Sequence, residues 1–272
     1  MPNRSILDLA PPWADARLPY GPDPSHFGDV RLPMGVGPHP VVMVIHGGFW
    51  RARYSLAHTG HLCAALTTAG FATWNLEYRR LGDPGGGWPH TLLDVGRGAD
   101  YLRDVSAHYP LDLTRLLAVG HSAGGHLALW LAARHRLAAD NELYLDHPLP
   151  LRGVISLAGV SDLISAWLLR LGNGAVGELL GGTPDTLPAR YAAASPAELL
   201  PLGVPQVLIH GTEDSNVPFS MSQAYTAHAG AAGDHATLIP LPGMGHFEPI
   251  DPRSGAWPMV LAAMRQLLPS SP

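Results

Sequence analysis

Lysine is absent from the chain; all 17 basic residues are arginines. This excludes a Schiff-base lysine, a pyridoxal-phosphate anchor, a phosphate-loop lysine and a serine–lysine dyad. Cysteine is nearly absent too. Cys63 alone permits no intramolecular disulfide, and its HLCAAL setting reads as a buried thiol on a helix face. Charged residues make up only 14% against 46% hydrophobic, which excludes a disordered chain. The net charge is −5 with no basic block, so no nucleic-acid partner is expected. No apolar stretch approaches the roughly 18 residues that cross a bilayer, and MPNRSILDLAPPWADA lacks the basic-then-apolar order of a secretory signal. The expectation is a cytoplasmic protein without a membrane partner. Metal-binding patterns are missing as well: there is no His-Glu-x-x-His, and His121 and His126 do not share a helix face. Gly35-Val36-Gly37 fails as a dinucleotide fingerprint because Pro38 and Pro40 follow and no helix begins. No metal and no cofactor are expected, and the sequence carries no signal of oligomeric state.

What is present is an alternation of buried strands and helices. The 272 residues suit one α/β domain spanning 1–272. Residues 1–40 read as a lead-in rich in Pro and Gly, with an edge-strand candidate near Asp29 to Leu32. Val41 to Ile45, Phe71 to Tyr78, Leu116 to Val119, Gly153 to Ala158, Val207 to Ile209 and Thr237 to Ile239 are short apolar runs of the kind that form strands buried on both faces. Between them, helical patterns span 55–69, 91–108, 123–138 and 221–228, and a last one closes the chain at 256–268. This order predicts a mostly parallel sheet with helices on both faces. Residues 161–200 break the alternation and read as a small helical insertion over the site.

The stretch LLAVGHSAGGHLALWL, Leu116 to Leu131, organises the rest. Its strand ends at Val119 and its helix starts near Ala123, which puts Ser122 on a sharp turn between them with Gly120 and Gly124 on either side. That is the pattern of a nucleophile elbow. A serine hydroxyl needs a base to take its proton, and the base needs a third group to fix its tautomer. Downstream, His210-Gly211-Thr212-Glu213-Asp214 follows a strand and offers two adjacent acids, of which Asp214 is favoured over Glu213. Gly243-Met244-Gly245-His246 follows the final strand and offers the base, with His235 the weaker alternative. His121, His126 and His210 read as hydrogen-bonding or packing residues, His121 also being placed to touch substrate. Trp50, Trp88 and Trp167, with Phe49, are candidates for an aromatic pocket, the alternative for each being plain core packing.

HGGFW, GHSAGG, HGTEDSNVP and GMGHF, in that order, resemble the serine α/β-hydrolases of the esterase and lipase group, and most nearly small carboxylesterases and serine-type kynurenine formamidases. The resemblance implies an α/β-hydrolase fold, Ser122 as nucleophile, His246 as base and Asp214 as orienting acid. It also places an oxyanion hole on the backbone N–H groups of Gly48, Phe49 and Ala123. Phe49 stands where the hormone-sensitive-lipase type has a third glycine. The expected substrate is a small-molecule ester or amide: a carboxylic ester of a small acyl or aryl group first, N-formylkynurenine second. A non-catalytic ligand-binding protein on the same scaffold is the reading from another class.

Overall fold

The computed structural model describes residues 5–268. Eight strands form one sheet: β1 (Ala16–Pro19), β2 (Phe27–Arg31), β3 (His39–Ile45), β4 (Ala72–Leu76), β5 (Leu111–His121), β6 (Gly153–Leu157), β7 (Gln206–Gly211) and β8 (Ala236–Leu241). Their spatial order is β1-β2-β4-β3-β5-β6-β7-β8. The β1–β2 and β2–β4 pairs are antiparallel, and every pair from β4 to β8 is parallel. Helices fill the connections: α1 (Gly60–Thr68), α2 (His90–Asp100), α3 (Leu102–Ser106), α4 (Ala123–Ala133), α5 (Leu163–Leu168), α6 (Leu171–Leu180), α7 (Pro188–Ala194), α8 (Phe219–Ala231) and α9 (Trp257–Leu267). This is the α/β-hydrolase fold.

The continuous apolar strands bury alternate side chains in two separate cores, as a period of two requires. Val41, Met43 and Ile45 of β3 and Leu116 and Ala118 of β5 pack with Leu92 and Val95 of α2 and Leu127 of α4. Their neighbours Val42, Val44, Leu117 and Val119 pack instead with Leu62 and Leu66 of α1 and Val260 and Met264 of α9. Cys63 lies in this second core, fully buried, and burial pushes its thiol up to about 12.

The lead-in differs from the sequence expectation. Residues 16–19 form an edge strand, so β2 is not an edge but lies between β1 and β4. Residues 55–69 begin with a 3-10 turn at Leu56–Thr59 before α1. The segment between β6 and β7 carries α5, α6 and α7. Inside α6, Gly172, Asn173 and Gly174 all take left-handed backbone (φ 59°, 59° and 83°), so the segment kinks there. Gly172 meets Phe49 at that kink: a Cβ on Gly172 would fall 2.5 Å from the Phe49 ring.

Candidate active site

β5 delivers the chain to Ser122 and α4 leads it away. Ser122 has φ 58° and ψ −120°, a conformation that side-chain-bearing residues rarely adopt. Neighbouring backbone holds it there: its N–H donates to Leu157 O (2.9 Å), and its carbonyl accepts from Val160 N and His126 N (3.2 Å each). The glycines on either side are required by close approach. A Cβ on Gly120 would run into the Gly124 carbonyl, and one on Gly124 into the carbonyls of Ile45 and His46. Strand and helix can therefore cross only without side chains at these two points.

The loop after β3 lies against this turn. A Cβ on Gly47 would sit 2.9 Å from Ser122 Cβ. Beyond it Gly48, Phe49 and Trp50 all have positive φ (107°, 51° and 56°), two of them with full side chains. This turn leaves the N–H groups of Gly48 and Phe49 with no acceptor among the described residues. Ala123, as the first residue of α4, likewise has no carbonyl partner within the helix. Its N–H lies at the positive end of the helix dipole, which suits a developing negative charge.

A buried polar cluster fixes that loop. His46 Nδ1 donates to Gly47 O (2.8 Å), and His46 Nε2 lies 2.8 Å from Glu77 Oε1. Tyr78 stacks on the His46 ring and donates its hydroxyl proton to His46 O (2.9 Å). Burial opposes the charge of Glu77, but His46, Arg80 and the Leu56 N–H outweigh it and hold its carboxyl below the usual range.

Asp214 and His246 come from the loops after β7 and β8. His246 Nδ1 lies 2.6 Å from Asp214 Oδ2. The other acid, Glu213, is solvent-exposed, and His235 is exposed at the opposite end of β8, before the strand begins. Asp214 also accepts from His210 Nε2 (3.1 Å) on the same oxygen and from the N–H groups of Asn216 and Val217 (2.8 and 2.9 Å) on the other. Burial works against its charge, yet these bonds hold the Asp214 carboxyl well below the usual range. The carboxylate therefore fixes the proton of His246 on Nδ1 and leaves Nε2 free to accept one. No hydrogen bond joins Ser122 to His246 among the described residues; such bonds commonly close only when substrate is in place. The two are linked through His121, whose ring is 4.7 Å from that of His246 and whose Nε2 donates to His246 O (2.8 Å).

That bond settles what His121 does. With Nε2 donating to a carbonyl, Nδ1 accepts from His58 Nε2 (2.8 Å), so both nitrogens are engaged within the protein. Burial pushes His121 well below the ordinary imidazole value and His58 down to about 3. His121 is thus a neutral strut beneath the His246 loop and not the substrate contact expected of it. His58 carried no signal in the sequence, because its partner lies 63 residues away and only the fold joins them.

The tryptophans, open to either a pocket or a core reading, do not share one place. Trp50 is fully buried, its ring edge-on to His126 at 5.3 Å, because the left-handed turn at Phe49–Trp50 sends the side chain into the core. Trp88 donates to Glu142 Oε2 (3.1 Å) and carries Arg190 over its ring. Trp167 lines a cavity of about 350 Å³ with Leu168, Arg170 and Gly174. The cavity that borders the loop is lined by Gly48, Phe49, Tyr54, Ser215, Asn216 and three arginines among others, so of the aromatic candidates Phe49 takes part in it. Among the described residues no cluster of His, Cys, Asp and Glu is arranged to hold a metal ion, and no helix is long and apolar enough to cross a membrane.

A turn-borne serine, a carboxylate-held histidine and an eight-stranded sheet of this order are the marks of the serine α/β-hydrolases, and the sequence comparisons put the chain in their esterase group. Residues 29–228 match the BD-FAE family, and the chain belongs to it. It is 26% identical over 238 residues to a protein of Oryza sativa subsp. japonica named "Probable isoprenylcysteine alpha-carbonyl methylesterase ICME", a match covering 84% of this chain and 57% of that one. The chain spans little more than half the length of the curated relatives it matches. Among solved structures, a truncated carbohydrate esterase from gut microbiota superposes with a TM-score of 0.81 at 22% identity, covering 96% of this chain and 98% of that one. A Thermogutta terrifontis esterase bound to propionate superposes with a TM-score of 0.75 at 22% identity, covering 94% and 96%. At these identities the two structures speak to the fold alone.

Proposed function

We propose that the chain is a serine esterase that cleaves carboxylic esters of small acyl or aryl groups through an acyl-enzyme at Ser122. The observation that carries this reading is the 2.6 Å contact of Asp214 with His246 Nδ1, beside a serine on a strained strand-to-helix turn. In the mechanism, His246 Nε2 takes the Ser122 hydroxyl proton while Oγ bonds to the substrate carbonyl carbon. The carbonyl oxygen becomes negative and is held by the N–H groups of Gly48, Phe49 and Ala123. The carbon–oxygen bond to the alcohol breaks, and His246 returns the proton to the departing oxygen. Water then repeats the sequence on the acyl-serine and releases the carboxylic acid. Asp214 stays ionised throughout and stabilises the imidazolium formed in both halves.

The family and the named esterases among the relatives support ester hydrolysis over other acyl transfers. The test compares initial rates on p-nitrophenyl acetate, p-nitrophenyl octanoate and N-formylkynurenine, with Ser122→Ala as the blank. Turnover of an ester well above the blank supports the proposal. A far larger kcat/KM on N-formylkynurenine would move the assignment to an arylformamidase. Absence of turnover on all three, together with no labelling by a serine-directed phosphonate, would leave a ligand-binding protein.

A further inference from the structure

The cavity beside the Gly48–Phe49 turn has a volume of about 390 Å³ and is open to solvent. Its walls come from three places: the Gly48–Phe49 turn, Ser215 and Asn216 next to Asp214, and residues 169–173 at the kinked start of α6. Three of the chain's 17 arginines line it, in a protein whose net charge is −5. They are not equivalent.

Arg51 is spent on structure. Its guanidinium forms a forked pair with Glu178 (2.7 and 2.8 Å) and a further bond to Gly172 O (3.1 Å), tying the turn to α6. Arg53 and Arg170 have no carboxylate partner among the described residues. Arg53 is nonetheless held in place: its guanidinium stacks over the Tyr54 ring at 4.7 Å and donates to the Tyr54 hydroxyl (2.7 Å). Arg170 has left-handed backbone (φ 51°) directly before the Gly172–Gly174 run, a strained arrangement for a residue with a long side chain. Two arginines without a carboxylate partner among the described residues thus line one cavity, Arg53 pinned by an aromatic ring and Arg170 on a strained turn.

We propose that this cavity receives a carboxylate carried by the substrate, so that the preferred esters are half-esters or esters of hydroxy acids with one free carboxylate. The proposal rests on the esterase reading of Ser122 and refines its substrate class. Guanidinium groups bind carboxylates through paired N–H donors, and two of them in a cavity bordered by the Gly48–Phe49 turn would orient an anionic ester while leaving a neutral one loosely held.

The experiment measures kcat/KM for two matched pairs. On the acyl side these are mono-p-nitrophenyl adipate and p-nitrophenyl hexanoate; on the alcohol side, 4-acetoxybenzoate and its methyl ester. The expected result is a preference of about tenfold or more for the carboxylate in at least one pair, carried mainly in KM. That ratio should shrink at 0.5 M salt and fall towards one in Arg53→Gln/Arg170→Gln. Equal rates, or a neutral preference in both pairs, overturn the proposal, as does a preference that the double variant keeps. Failure to cleave any of the four esters above the Ser122→Ala blank is a different result and strikes the esterase reading itself.

Discussion

Acid should destabilise this protein through a histidine that takes no part in the reaction. His126, on α4, is fully buried; its Nε2 donates to Ala194 O (2.9 Å), and its Nδ1 is buried without a partner. A proton can be added only at Nδ1, where it would place a charge in the core facing no acceptor. Burial accordingly pushes His126 from 6.5 down to about 4. Because the folded value lies below the unfolded one, the unfolded chain binds the proton first. The stabilising contribution is complete above pH 6.5 and is lost progressively as the pH falls towards 4. At pH 5, about 1.5 units below the unfolded value, the loss from this residue is about 2 kcal/mol. His126→Gln keeps a donor for Ala194 O and removes the titration. Urea unfolding at pH 7 and pH 5 reads the effect as a difference of differences, so any general weakening by the substitution cancels. The drop in unfolding free energy between the two pH values should be smaller in His126→Gln by about 2 kcal/mol. Equal drops in the two proteins would refute the assignment of a neutral, acceptor-starved His126.

Other substitutions probe the site and its frame. Asp214→Asn should keep the fold but lower kcat by about 10⁴, since the amide no longer fixes the His246 tautomer; a loss under tenfold on p-nitrophenyl acetate would contradict the role given to Asp214. His210→Phe removes one of the two imidazole donors to Asp214 and should cost about tenfold in kcat, with KM little changed. Gly120→Ala should destabilise by about 3 kcal/mol or more, measured by urea unfolding, because the new methyl group meets the Gly124 backbone and not a side chain that could rotate away.

The sheet was largely legible because each parallel strand is a short apolar run, and a run buried on both faces has few other readings. Residues 16–19 escaped because their alternation of half-buried and exposed side chains, ending at Pro19, carries no apolar signal. The elbow could be read because its constraints are local: two glycines where strand and helix cross, and a serine between them. Chain order pointed to Asp214 and His246 over Glu213 and His235, and the structure brings the first two within 2.6 Å of each other while the other two are exposed. The supporting histidines were not legible in this way. His58 with His121 and His210 with Asp214 are defined by which nitrogen meets which acceptor, and that follows from tertiary packing. The tryptophans stayed open between pocket and core for a related reason: hydrophobic size says that Trp50 will be buried somewhere, and only the positive φ at Phe49 and Trp50 decides that it is the core and not the cavity.

The most direct test of the central claim is covalent. Purified protein treated with a fluorophosphonate, digested and sequenced by mass spectrometry should carry one label on Ser122, with ester hydrolysis lost in proportion to labelling. Ser122→Ala should take up no label and retain no hydrolysis above background. Labelling elsewhere, or a Ser122→Ala protein that still cleaves p-nitrophenyl acetate at a substantial fraction of the original rate, would contradict the account.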